Sequence, residues 1–221
     1  MKIEHNIVLQ RRTTAEVLRS LFEGANSFDD WDKNLRKIAV SDVGSTYRNH
    51  PKGPLKCRGL FLGDSFELFV EIMYKILPGN SSLGRIFDYR PASVKKGVKD
   101  NGVDGFGKNK EDKNCVVNIK YKSNKIEFVS ANEDHLCNMF PQGIIHFGVD
   151  GMGERGPRKA KLHFVVTTAK GLHFYTDREM FDNRVCCVSL EEIKYAVDGI
   201  SSFWNKARKI IEKSIKENGI S

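Results

Sequence analysis

No run of apolar residues approaches the roughly 18 that a membrane-spanning helix needs. The opening stretch, MKIEHNIVLQRRTT, also lacks the apolar segment of a secretory signal. Cysteine is sparse and odd in number: Cys57, Cys115, Cys137, Cys186 and Cys187, with no CxxC pair. The histidines are scattered. Together these exclude a disulfide framework and argue against a structural zinc site. Cys115, Cys186 and Cys187 lie in apolar runs and read as buried thiols, so a reducing cytoplasm is expected. No Walker pattern is present, and the glycines of GVDGFG (102–107) have neither dinucleotide-loop spacing nor a following helix, which disfavours nucleotide binding. There is no internal repeat and no low-complexity tract.

What the chain has in excess is positive charge. Its net charge of +8 and pI near 9.2 favour polyanionic partners, nucleic acid first and a membrane surface second. With 221 residues, 40% of them hydrophobic, it is long enough to bury a real core as one large domain with helical additions.

Residues 1–12 read as extended. Thr13 and Glu16 have capping-box spacing for a helix to about Glu23, with Val17, Leu18, Leu21 and Phe22 on its apolar face. Ser27 and Asp30 start a second helix with Trp31, Leu35 and Ile38 as its stripe, which gives an N-terminal helical hairpin. Residues 41–58 have no period and read as a basic loop. Asp64 to Leu77 is the strongest helix signal, with Asp64 as its cap and Phe66, Phe69, Val70, Met73 and Leu77 as its stripe. Glu67 borders that stripe, either as the third-position capping glutamate or as a carboxylate leaning toward a site.

Short strands are expected at 84–90, 115–122, 125–129, 144–149, 162–168 and 184–190, with a helix at 131–140, flexible basic segments at 95–101 and 150–160, and a loop with a short helix after Ala169. Asn132 to His135 read better as a polar helix start than as metal ligands. Ser189 and Glu192 cap a long C-terminal helix that Asp198-Gly199 can interrupt. The order predicts an α/β fold, a mixed β-sheet flanked by helices. The expected segments are a helical region and basic loop over 1–58, a core over 59–190 and a C-terminal helix over 191–221.

The chemistry concentrates between Gly102 and Lys122. In CVVNIKYK, alternation puts Val116, Asn118, Lys120 and Lys122 on one face and the apolar Cys115, Val117, Ile119 and Tyr121 on the other. Asp104 lies a hairpin's length before Asn118, so the two can sit side by side on neighbouring strands. An acid, a second oxygen donor and a lysine at one strand edge suit phosphodiester hydrolysis. Hard oxygen donors hold Mg²⁺ or Mn²⁺, and a lysine stabilises charge developing on the phosphate. The structural alternatives are a turn-forming Asp104 and an edge-protecting Lys120.

These segments, in this order, carry a resemblance: GDSFELFVEIMYKIL, then GVDGFG, then VVNIKYKSNK, a helix, and HFVVTTAKGLHF. Over residues 63–190 the chain resembles the PD-(D/E)xK nuclease superfamily, in its restriction-endonuclease-like, Mrr-like branch. The resemblance implies a restriction-endonuclease-like core and a DNA endonuclease leaving 5′-phosphates. It implies Asp104 as the metal-binding acid, Lys120 as the catalytic lysine and Glu67 as the helix glutamate, which could add an outer-shell or direct metal ligand. Asn118 stands where the family most often has Glu, or Gln in the Mrr-like branch. It offers a neutral carbonyl oxygen on a shorter side chain.

The expected substrate is double-stranded or branched DNA, in a basic cleft drawn from Arg48, Lys52, Lys56, Arg58, Lys95, Lys96, Lys122, Arg155, Arg158 and Lys159. A homodimer would let such an enzyme cut both strands, and the apolar stripe near Trp204 could serve it or simply close the core. The alternative from another class is a DNA-binding or assembly protein that keeps the fold and has lost catalysis at Asn118. An RNA nuclease is a third reading.

Overall fold

The computed structural model describes residues 3–9, 12–92, 103–111, 113–125, 127–130, 162–173 and 185–221. The expected helix at 131–140 with its Asn132–His135 cluster, the strand at 144–149, the segments at 95–101 and 150–160, the short helix after His173, and Cys137 lie outside these. The chain divides into two compact units: Met1–Ile76 with Lys194–Ser221, and Leu77–Ile193.

The first unit is helical. It holds α1 (Asn6–Leu9), α2 (Ala15–Phe22), α3 (Phe28–Ala39), α4 (Asp42–Ser45) and α5 (Pro54–Ile76). The N-terminal stretch is not extended as expected, because it turns into α1. Ile3, Ile7 and Val8 are all fully buried. A helical turn puts residues 3, 7 and 8 on one face, whereas a strand would send 7 and 8 to opposite sides. The capping of α2 also shifts by one position, since it is Thr14 whose hydroxyl accepts the Val17 N–H at 3.3 Å. The Ser27–Asp30 capping box of α3 forms as predicted. The first residue of that helix, Phe28, donates its N–H to Asp198 at 2.9 Å.

The larger correction concerns 41–58. It is not one loop: it contains α4, a 3₁₀ turn at Tyr47–Asn49 and the first turns of α5. Proline suits the opening of a helix, where its missing N–H costs nothing. Cys57, Phe61, Ser65, Leu68 and Ile72 then continue one buried stripe at helical spacing through the point expected to be the cap. Asp64 is therefore a buried mid-helix carboxylate, 8% exposed.

Farther along α5, Phe66, Phe69, Val70 and Met73 are fully buried. Trp31 lies 4.4 Å from Phe69 and Phe28 5.3 Å from it, centroid to centroid, and Phe69 meets Trp204 at 6.1 Å. Such pairs add about 0.5–1.5 kcal/mol each beyond their burial. Trp204 belongs to the last helix, α7 (Phe203–Asn218), whose stripe Phe203, Trp204, Ala207, Ile210, Ile211 and Ile215 is buried in this unit. That stripe closes the core, so it is not itself available as a dimer face. The preceding helix, α6 (Leu190–Asp198), starts after Ser189, which donates its N–H to Glu192 at 2.7 Å. The break predicted at Asp198-Gly199 separates the two helices.

The second unit carries the strands: β1 (Phe87–Pro91), β2 (Gly105–Lys108), β3 (Asn114–Lys120), β4 (Phe128–Ser130), β5 (Leu162–Thr167), β6 (Gly171–His173) and β7 (Val185–Val188). A five-stranded mixed sheet runs β1-β2-β3-β5-β7, and β4 and β6 form a two-stranded parallel pair. The chain is thus α/β. The first three strands are antiparallel, while β5 and β7 run parallel to β3. The β2–β3 hairpin is the predicted one. Asn109 turns it by accepting the N–H of Glu111 at 3.0 Å and of Lys113 at 2.9 Å.

The glycines of GVDGFG have a packing reason. A Cβ on Gly105 would come within 2.6 Å of the Tyr89 ring, and one on Gly107 within 2.8 Å of the Phe87 carbonyl. The two-faced reading of β3 needs correction. Cys115, Val116, Val117 and Asn118 are all fully buried and Ile119 nearly so, because β3 is central and Val103, Val129, Val165 and Ala169 cover the Val116 side. Among the described residues no helix is long and apolar enough to cross a membrane.

Candidate functional site

Asp104 ends the segment leading into β2 and is tied down by three bonds. Its N–H donates to Val117 at 2.9 Å, and its carbonyl accepts from Ala92 at 2.9 Å. Its carboxylate Oδ2 accepts the N–H of Ile119 at 2.5 Å. Gly105 is paired with Val117, so Asp104 comes opposite Asn118, the juxtaposition that the spacing predicts. The carboxylate reads β3 directly, between Asn118 and Lys120. Asp104 keeps exposed surface, whereas Asn118 has none, with Val165 of β5 as its register partner. Lys120, half-buried, is the last residue of β3 and pairs with Thr167.

Thr167 and Thr168 are the contributors that sequence reasoning left without a role. The Thr167 hydroxyl donates to the Lys120 carbonyl at 2.8 Å and accepts the Ala169 N–H at 3.0 Å. The Thr168 hydroxyl accepts the Lys122 N–H at 2.7 Å and donates to the Lys122 carbonyl at 3.0 Å, and its own N–H reaches the Lys120 carbonyl at 3.2 Å. Two adjacent hydroxyls thus staple the exit of β3 to the end of β5 and fix the backbone from which Lys120 and Lys122 project. The signal was the paired threonine at the end of an apolar strand.

Glu67 belongs to the helical unit. It is not an N-terminal capping residue there, because α5 begins well before it. Its Oε2 lies 3.0 Å from His5 Nε2. His5 Nδ1 accepts the Ile7 N–H at 3.2 Å, which puts the ring proton on Nε2 and makes Glu67 its acceptor. One helical turn on, the fully buried Glu71 accepts the N–H of Glu4 at 2.6 Å and of His5 at 2.9 Å, and pairs with Lys75 at 2.6 Å.

Of the predicted DNA contacts, Lys52 and Lys56 are exposed. Arg58 is half-buried and donates to the Ser45 hydroxyl at 3.0 Å. Arg48 pairs with Asp64 instead of standing loose in solvent. Lys122 is half-buried beside Thr168. Lys95, Lys96, Arg155, Arg158 and Lys159 lie outside the described residues.

Among the described residues no three His, Cys, Asp or Glu side chains cluster as a metal site. The oxygen groups beside β3 are of another kind: the Asp104 carboxylate, which keeps exposed surface, and the Asn118 carboxamide, which is fully buried. Magnesium commonly takes one or two carboxylates and fills its octahedron with water and substrate phosphate, so the single exposed carboxylate of Asp104 is of the type that a hard cation uses. Beside it, among the described residues, there is no His or Cys cluster of the kind that dominates zinc sites. No protein-family model matches the chain, and no curated protein matches it.

Proposed function

We propose that the chain is a divalent-metal-dependent endodeoxyribonuclease with a restriction-endonuclease-like core in its sheet unit. The observation that carries this reading is the Asp104 carboxylate held 2.5 Å from the Ile119 amide, between Asn118 and Lys120 on the central strand. Asp104 and the Asn118 carbonyl oxygen would hold Mg²⁺ or Mn²⁺. Such a cation, when bound, lowers the pKa of water and offsets phosphate charge. Lys120, on a backbone clamped by Thr167, would supply an ammonium group to offset charge developing on the phosphoryl oxygens. The basic surface supplies sequence-independent attraction for DNA.

A second reading, a DNA-binding protein with an inactive site, has its own support. Asn118 is neutral and fully buried, where a charged and accessible donor would bind metal better. Plasmid nicking with Mg²⁺, with Mn²⁺ and with EDTA separates the two. Metal-dependent cutting that disappears in Lys120→Ala and Asp104→Ala supports the nuclease. Retained DNA binding with no cutting under either metal leaves the binding protein.

A further inference from the structure

The last helix, α7, carries five Lys and Arg against two Glu and turns its apolar stripe inward. We propose that its outer face, the line Lys206, Lys209, Lys213 and Lys216, is a track for the phosphate backbone of a DNA duplex. Assigning the polyanion to DNA rests on the function proposed above.

All four lysines are exposed. Spacings of three, four and three residues put them on one side of the helix, along about 15 Å of its axis at ~1.5 Å per residue. Each successive pair is therefore a like-charge pair at i,i+3 or i,i+4, an arrangement that weakens a helix. The macrodipole favours cations near the C-terminal end, which accounts for Lys216 in the last turn. It does not account for Lys206 and Lys209. They stand in the half nearer the positive end, where the first turn holds no acid and Ser202 makes no side-chain cap. Helix stability thus leaves this line of charge unexplained, whereas a polyanion laid along it would relieve the repulsion.

The carboxylates of α7 leave the line positive. Glu212 is gripped by Arg19 of α2, through Nε at 2.7 Å and Nη2 at 3.1 Å, and Arg19 more than Lys216 holds its carboxyl below the usual range. Glu217 lies 3.5 Å from Lys213. The fifth cation, Arg208, serves the fold instead: its Nη1 donates to the Ala25 carbonyl at 2.7 Å and to the Phe22 carbonyl at 3.3 Å.

The kind of cation selects the ligand. A lysine ammonium is a point charge on a flexible stem, suited to successive phosphates and not to the bidentate reading of base edges that arginine performs. Such contacts fix the protein on a duplex without reading its sequence. A membrane surface fits less well, because a helix that lies on lipid inserts apolar side chains beside its cations. On α7 those side chains are buried in the helical unit, and the exposed positions are Asn205, the four lysines and Glu217.

The test is binding of the full chain to a labelled DNA duplex in EDTA, so that metal-dependent cleavage plays no part, over a series of KCl concentrations. The double variant Lys206→Gln/Lys209→Gln should lower the salt slope by about 1.8, the counterion term for two phosphates, and weaken binding roughly 60-fold at 0.1 M salt. Its melting temperature should hold or rise, because two cations have left the positive half of the helix and glutamine matches lysine in helix propensity. Lys33→Gln/Lys37→Gln, on the exposed surface of α3, removes the same charge from the same unit and should leave the slope near that of wild type.

Wild-type affinity and slope in the α7 variant overturn the proposal. So does an equal loss in the α3 variant, which would mean diffuse charge, and so does a fall in melting temperature that accompanies the binding loss, which would mean that the lysines serve the helix. Vesicles of phosphatidylserine and phosphatidylcholine supply the second arm: lysine-dependent binding to them with none to the duplex assigns the face to a membrane and sinks the duplex assignment. A wild type that does not bind DNA sinks it too. Lysine-dependent binding by a protein that cuts under neither metal would fail the nuclease reading alone.

Discussion

Replacing Asp104 separates what its carboxylate does for the fold from what it does for a reaction. In Asp104→Ala the Ile119 N–H, on a residue only 6% exposed, loses its acceptor at 2.5 Å. Leaving a buried donor unsatisfied costs about 1–3 kcal/mol. For a chain of this length each kcal/mol moves Tm by roughly 2–4 °C, so a drop of about 4–8 °C is expected for a mid-range loss of ~2 kcal/mol. Asp104→Asn keeps a carbonyl acceptor and gives up only the charge assistance, about 1 kcal/mol or less, hence roughly 2–4 °C. Activity should follow the opposite logic. Both variants lack the carboxylate charge, and a loss of about 2.7 kcal/mol of transition-state stabilisation is ~100-fold in rate. Differential scanning calorimetry beside plasmid nicking reads both quantities. An Asp104→Asn protein that cuts at the wild-type rate would falsify the metal-ligand role, and an Asp104→Ala protein that melts with the wild type would refute the Ile119 bond.

Other expectations follow from particular contacts. Thr168→Val removes both bonds to Lys122 and should lower the urea unfolding free energy by about 1–3 kcal/mol, with any cutting activity falling more than stability because the lysine-bearing strand exit loosens. Tyr47→Phe should cost about 1.5–3 kcal/mol, since its hydroxyl donates to a buried carboxylate. Burial and the adjacent Asp64 push the Tyr47 pKa well above the usual tyrosine range. A raised acid pKa means that the stabilisation is complete below the unfolded value near 10 and is lost as pH climbs toward the folded one. The urea midpoint of wild type should therefore fall between pH 9 and 11 (about one unit either side of that value) more than that of Tyr47→Phe. Burial pushes the Cys115 and Cys187 thiols up to about 12, so both should resist thiol reagents at neutral pH and label quickly in urea, read peptide by peptide by mass spectrometry.

The parts of this fold governed by local periodicity were legible. The α3 capping box, the α5 stripe, the β2–β3 hairpin, the β5 and β7 runs and the interruption after Asp198 needed only neighbours in sequence. So did the pairing of Asp104 with Asn118, because a hairpin of known length fixes its own register. What sequence hid depends on distant partners. Asp64 has the look of a cap until Tyr47 and Arg48 close on it, and residues 41–58 lack a period because three short helical pieces share them. The buried state of Val116 and Asn118 follows from the sheet having a central strand and a covering layer, neither of which alternation can reveal. The hydroxyl staple of Thr167 and Thr168 joins residues 46 and 47 positions apart and could not be read from either end alone.

The helical unit is assembled from both ends of the chain, with the sheet unit's residues between them. A ribosome therefore emits α1 to α5 long before it emits Phe203 and Trp204, the aromatic pair that completes their core beside Phe69. Until then Phe69 has Phe28 and Trp31 beside it but lacks the two rings of α7, so part of its apolar surface stays open. A stalled or truncated product ending before α7 should be recognised by holdase chaperones through that surface, and its lifetime in the cell should be set by them rather than by the stability of the finished molecule.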